Sequence, residues 1–325
     1  MLIPVLLFAV GLVLLIKGGD WFVDGATGVA HKFHLPELLI GATVVSIGTT
    51  LPEVMVSATS AIGGHGEIAY GNAIGSVICN TALISAITIA VRPEKVDRNS
   101  FRVPVIFFFV AAAFYCLNAY VLGSFSRLSG CCFLLIFLIY IAMQVRQAMQ
   151  HKADGEAAMA DTGEEETENS MGKDLILLVI GAALIAVGAA LLVDNGTLIA
   201  QGLGVPESVI ALTFVALGTS LPELVTAITS LMKGHGDLSL GNIVGANLFN
   251  LVLVNGVSVT LSPFNVPSSK LIAGMNSSLV LEIPLMLFVM LFLTVPALVR
   301  GKLTRAQGIL LLVIYAAFCM TQFFL

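Results

Sequence analysis

The sequence predicts an all-α membrane protein: ten transmembrane helices forming two inverted five-helix repeats, with the second and seventh helices broken. Three observations predict it. Hydrophobic residues make up 58% of the chain and charged residues only 11%, where a soluble domain carries about 25% charged residues. The mean hydropathy is +1.00. Apolar stretches long enough to cross a bilayer as helix, about 20 residues, recur along the chain, without the short polar–apolar alternation of a transmembrane barrel. Finally, the second half repeats the first.

The spans are expected near residues 2–24, 37–62, 67–91, 101–122, 127–147, 174–198, 207–232, 237–261, 274–298 and 304–324. Residues 2–16 lack the basic start and small-residue cleavage site of a signal peptide, so they are read as part of the first span. One long polar stretch interrupts the series at residues 151–170. It carries Asp154, Glu156, Asp161, Glu164, Glu165, Glu166 and Glu168 against Lys152 alone, and is expected to be a solvated, flexible tether too short to fold by itself. The chain therefore divides into a first five-helix repeat (1–150), an acidic linker (151–172) and a second five-helix repeat (173–325). Basic residues concentrate in cytoplasmic loops. With the N-terminus outside, twelve Lys and Arg fall in inside loops and only Arg127 and Lys270 in outside loops. The expectation is a plasma (inner) membrane protein with both termini outside and the linker cytoplasmic. The cysteines (Cys79, Cys116, Cys131, Cys132 and Cys319) lie in apolar segments without metal-site spacing, and read as small buried apolar residues.

Residues 35–84 and 205–254 align without a gap at an offset of 170, with 20 identities in 50 positions. Five spans precede the linker and five follow it, so the second half enters the membrane from the opposite side. Transporters often have this plan, with the substrate site at the repeat interface near mid-membrane. GTxLPE, GHG and GN survive in both halves while the residues between them drift.

The first of these motifs carries the chemistry. Each copy, Gly48 to Glu53 and Gly218 to Glu223, lies inside an apolar span. The proline deprives the carbonyl four residues earlier, that of Gly48 or Gly218, of its helical partner, which predicts a kink or break. One residue later stands a glutamate, and an intramembrane carboxylate costs roughly 2.5–3.5 kcal/mol. No Lys or Arg lies in either motif span, so a bound cation is the expected counter-charge. The surrounding donors are oxygens: Ser46, Thr49, Thr50, Thr219 and Ser220 beside the glutamates, with Asn72, Ser76, Asn80, Asn242, Asn247 and Asn250 on the next span of each half. No His or Cys joins them, which argues for a hard cation such as calcium over zinc or copper. Gly71, Gly75, Gly241 and Gly245 are spaced for close helix packing. His65 and His235 read as turn residues. Asp24 and Asp194 read as interfacial caps or charges on a path into the protein.

GTTLPE with GNAIGSVICN, and GTSLPEL with GNIVGANLFN, closely resemble the repeat signatures of the calcium/cation antiporter superfamily, in its prokaryotic sodium/calcium exchanger branch. The resemblance covers nearly the whole chain. It implies Glu53 and Glu223 as the main calcium ligands, with Thr49, Thr50, Ser76, Asn80, Thr219, Ser220 and Asn250 at shell positions for calcium or sodium. Ser46 and Ala216 match positions that contribute backbone oxygen. Potassium-dependent members carry aspartate where Asn80 and Asn250 stand, which argues against potassium co-transport. Asn250 also makes the site less acidic than in many sodium/calcium exchangers. Proton-coupled relatives often carry glutamate at the positions of Gly75 and Gly245. Val77 replaces the usual asparagine of the first repeat.

The function this implies is alternating-access exchange of sodium for calcium, in the direction of calcium efflux, with a proton-coupled calcium or other divalent-cation antiporter as the alternative. The expected partners are calcium and sodium ions and the lipid bilayer. No cofactor, nucleic acid or obligatory protein partner is implied, and no catalytic constellation appears in the spans.

Overall fold

The apolar runs fold as helices because lipid offers no partner for a bare peptide group. The computed structural model describes residues 2–93, 95–162, 171–203, 218–268 and 271–324. Its ten helices are α1 (Leu2–Lys32), α2 (Glu37–Ile62), α3 (Gly66–Val91), α4 (Arg98–Leu122), α5 (Arg127–Thr162), α6 (Met171–Gly202), α7 (Leu221–Lys233), α8 (Gly236–Leu261), α9 (Ser278–Arg300) and α10 (Arg305–Phe324). All except α7 are long and apolar enough to cross a membrane. The beginning of the seventh span, residues 204–217, lies outside the described residues.

Two pairs of loops mark the two faces of the molecule. On one face, β1 (Ser124–Phe125), between α4 and α5, pairs antiparallel with β2 (Phe264–Asn265), between α8 and α9. Within the α8–α9 loop, β3 (Leu271–Ile272) and β4 (Met275–Asn276) form a local hairpin that stays inside the second half, unlike the two contacts between loops. On the opposite face, the α3–α4 loop meets the α9–α10 loop through a Lys95–Lys302 bridge and a Val96 N–H to Gly301 carbonyl bond of 3.0 Å. Each contact joins the two halves of the chain. The linker leaves from the second face, as the alternation of helices requires.

The GHG motifs are explained by backbone geometry. Gly64 and Gly234 hold φ of +83° and +90°, a region open to glycine at no steric cost, and each ends a helix. His65 and His235 then cap the next helix. His235 also bonds Glu37 Oε1 through Nδ1 at 2.8 Å.

Three expectations need correction. Residues 151–162 continue α5 as helix, because their Ala, Glu, Met and Lys content favours it; residues 163–170 lie outside the described residues. Of the five cysteines only Cys79 is buried, and Cys131 is exposed. The second span is not broken at its proline: α2 runs through Pro52, and its irregularity is a π-helical turn at Gly41–Val45. The seventh span does break where expected. Gly218 is helical, Thr219 and Ser220 form a turn, and α7 restarts at Leu221 with Pro222 in its first turn, where a missing N–H costs nothing.

Helices α8, α3 and α2, in that order of burial, form the centre, with α7 beside them. The two halves interlock there. The π-turn of α8 (Asn250–Val254) packs on the Ser46–Ile62 segment of α2, and the π-turn of α3 (Asn80–Ile84) packs on α7. Helices α1 and α6 lie against each other along their length, with Gly18 facing Ile185 and Gly181 facing Phe22 at backbone distance.

Candidate functional site

Glu53 and Glu223 are both completely buried and lie close enough for Glu53 to feel the charge of Glu223. Among the described residues, no Lys or Arg forms an ion pair with either. The Thr50 hydroxyl donates to Glu223 Oε1 at 3.4 Å. Among the described residues, both oxygens of Glu53 and Oε2 of Glu223 have no hydrogen-bond partner. The two glutamates also differ in setting. Glu223 stands in the first turn of a helix, where the dipole favours negative charge. Glu53 sits inside a continuous helix and has no such help.

Around the carboxylates runs a two-fold-related pair of hydrogen bonds between the repeats. Thr49 Oγ1 donates to Asn242 Oδ1 at 3.1 Å, and its repeat equivalent Thr219 Oγ1 donates to Asn72 Oδ1 at 3.2 Å. Each threonine thus places its proton on an amide and keeps a lone pair available. Asn72 also donates to the Glu53 carbonyl at 3.3 Å and to Ser57 Oγ at 2.7 Å. The sequence offers Asn72 and Asn242 only as oxygen donors; in the fold they brace one repeat against the other.

Asn80 and Asn250 each begin a π-turn, a distortion that occurs often at functional sites. Both are completely buried, and among the described residues neither the amide nitrogen nor the oxygen of either has a partner. The Ser220 hydroxyl is buried and unpartnered too, and Cys79, the residue before Asn80, lies within reach of Ser220 and Glu223. Ser76 is buried on the cavity wall described below. The Ser46 hydroxyl donates to the carbonyls of Gly41 (2.7 Å) and Asn242 (2.9 Å), so it holds α2 to α8, while its own carbonyl faces the Thr49 hydroxyl at 3.5 Å. Ala216 lies outside the described residues. Thr226 and Ser230 also have buried hydroxyls without a partner among the described residues. They follow Glu223 by three and seven residues on one face of α7, a helical spacing that could have revealed them.

Buried polar groups are nearly always paired, and leaving one unpaired costs free energy. Here unpaired acceptors cluster: two carboxylates, two amide oxygens and a hydroxyl. The sequence expectation that no Cys joins the shell is corrected by the Cys79 thiol at its edge; the shell is otherwise oxygen, and with two carboxylates it suits a hard cation. Among the described residues no group of three or more His, Cys, Asp or Glu gathers anywhere, so the candidate site rests on two carboxylates with neutral oxygens.

A cavity of about 430 Å³ reaches this region from the face that carries β1 and β2. Asn72, Gly75, Ser76 and Thr219 border it, and Glu67, Ser278, Glu282 and Gln322 stand nearer the surface. The packing expected of all four glycines holds for Gly241 and Gly245. A Cβ at Gly241 would collide with the Leu38 carbonyl, and one at Gly245 would strike Ser46 Oγ and stand 2.7 Å from Ala42 Cα. Gly71 and Gly75 instead border the cavity, and a Cβ on either would meet no described residue within 4 Å.

Inverted repeats around a buried carboxylate pair define a membrane cation exchanger. Comparison with known proteins agrees. The family model described as sodium/calcium exchanger protein matches residues 3–146 and 173–324, so the chain belongs to that family. It is 32% identical to a solved structure of the sodium-calcium exchanger NCX_Mj soaked with sodium and strontium, with a TM-score of 0.79 over 97% of each chain. Among curated relatives, it is 29% identical to the sodium/calcium exchanger MaX1 of Methanosarcina acetivorans over 98% of both chains. It is 33% identical to the inner membrane protein YrbG of Escherichia coli over 81% of both.

Proposed function

We propose that this chain exchanges sodium for calcium across the membrane by alternating access, in the direction of calcium efflux. The observation that carries the reading is the pair of buried carboxylates at equivalent repeat positions, with unpaired oxygens and no basic partner among the described residues. Glu53 and Glu223 bind calcium. Thr49, Thr50, Ser76, Asn80, Thr219, Ser220 and Asn250 complete the oxygen shell for calcium or for the sodium ions that replace it. Ser46 and Ala216 supply backbone oxygen. With the shell vacated, two carboxylates at close range repel each other, so the unloaded protein resists crossing between its two open forms. That resistance makes the process exchange instead of leak.

The protein sits in the inner membrane with its termini outside and the linker (151–172) cytoplasmic, tethering the two repeats (1–150 and 173–325). The excess of basic residues in the loops on the linker side supports this orientation, as does the likeness to YrbG. The cavity then faces outward.

The test is radioactive calcium uptake into proteoliposomes against imposed sodium, potassium and proton gradients. Sodium-driven uptake is expected, and it is lost in Glu53→Gln and in Glu223→Gln while both variants remain monodisperse. Calcium movement under a proton gradient without sodium would establish proton coupling instead. Normal flux in both variants would refute the ligand assignment.

A further inference from the structure

The outer part of the cavity contains a second arrangement of oxygens, separate from the central site. Ser278 and Glu282 lie in the π-turn that opens α9 (Ser278–Glu282), which brings the Ser278 hydroxyl to Glu282 Oε2 at 3.1 Å. Gln322 of α10 donates to Glu282 Oε1 at 3.5 Å. Tyr70 of α3, 1% exposed, borders the same cavity, and its hydroxyl has no hydrogen-bond partner among the described residues. Tyr70 lies within reach of Ser278 and of the charge on Glu282. The Tyr115 hydroxyl is also buried and without a hydrogen-bond partner among the described residues, with the two rings 6.1 Å apart. Glu67 lines the same cavity, and no Lys, Arg or His does so among the described residues.

We infer that Glu282, Ser278 and Tyr70 form an outer station for a hydrated divalent cation, occupied as the ion passes between the outer solution and Glu53 and Glu223. The chemistry is a carboxylate with hydroxyl oxygens and no nitrogen or sulfur ligand, which selects hard cations. The space suits an ion that keeps most of its water: the cavity holds about 430 Å³, where a single water needs only roughly 10–15 Å³ by the same kind of measure. Cavities lined by one sign of charge raise the local concentration of counter-ions about 10-fold or more. From this station the cavity leads to Ser76, Asn72 and Thr219 at its inner end. The station serves the transport proposed above and rests on that reading, but its occupancy can be measured without transport.

Radioactive calcium binding to the purified full-length chain provides the first measurement. A Glu53→Gln/Glu223→Gln double variant retains one weak calcium site, and adding Glu282→Gln removes it. Absence of that residual site, or its persistence without Glu282, overturns the station. Flux provides the second. Glu282→Gln raises the calcium KM about 10-fold from the face opposite the linker. KM from the linker face and the maximal rate stay within about twofold, and Glu282→Asp restores the KM. A fall in maximal rate at constant KM would mean that Glu282 merely ties α9 to α10, and would sink the proposal. If wild-type protein moved no calcium, the transport reading would fall, while a residual site dependent on Glu282 would still uphold the station.

Discussion

Helices α3 and α8 carry the same motif, yet they meet different surroundings. Gly241 and Gly245 of α8 are filled by the start of α2, and the linker face around them is closed further by Glu37–His235 and by Lys233, whose Nζ lies 2.8 Å from Asp24 and 3.6 Å from Asp20. Gly71 and Gly75 of α3 border the cavity on the other face. One sequence pattern therefore serves two environments: a backbone-to-backbone seal in one repeat and an open wall in the other. In an inverted-repeat carrier, two such environments are expected to trade places as the protein turns over.

The sharpest way to break the comparison is to add a methyl group to each side. Gly245→Ala overpacks the seal at a cost of about 1–3 kcal/mol, read as a fall in the melting temperature of the detergent-solubilised protein. Gly75→Ala leaves that temperature nearly unchanged, but it blocks the seal that α3 must form when the cavity closes. Calcium exchange then falls by about 10-fold or more, the effect of ~1.4 kcal/mol against the closed form. Full activity of Gly75→Ala would show that the repeats do not trade packing.

Thiol labelling sharpens the same point. In a background with the native cysteines replaced by alanine, a membrane-impermeant maleimide applied from the face opposite the linker modifies Gly75→Cys and spares Gly245→Cys. Equal labelling would refute the difference.

A smaller effect belongs to the bonds that brace the repeats. Thr49→Val and Thr219→Val each remove one hydrogen bond to an amide oxygen, about 1 kcal/mol, or roughly a 5-fold loss of calcium affinity measured by titration. If Thr49→Val alone weakened binding, the two-fold relation of the braces would be structural and not functional. The smallest effect is at Lys233. It is partly exposed, and its repeat equivalent is Gly63, so the first half has no counterpart. Lys233→Gln costs less than about 1 kcal/mol, seen as a slight shift in melting temperature that high salt abolishes.

The helices were legible in the sequence because hydropathy alone marks a span: residues 127–147 and 274–298 were expected where Arg127–Gln150 and Ser278–Arg300 are observed. The repeat and its polar motifs picked out Glu53, Glu223, Asn80 and Asn250, which the fold gathers with unpaired atoms at its centre. The sequence could not separate the two glycine pairs, because the local pattern is shared and the difference lies in what each helix faces. Nor could it foresee that α2 passes intact through Pro52 while the seventh span breaks at 219–220, since the same tripeptide Leu-Pro-Glu occupies both positions. The bracing role of Asn72 and Asn242 depends on contacts with the other repeat, which no local pattern encodes.

The interlocking of the halves has a consequence for biogenesis. Glu53 lies on a helix whose principal neighbour, α8, is synthesised some two hundred residues later. Until then the nascent chain must keep a carboxylate in the bilayer without the surfaces that enclose it. The early product of translation should therefore be a short-lived target for membrane quality control, rescued only when the ribosome has finished the later helices.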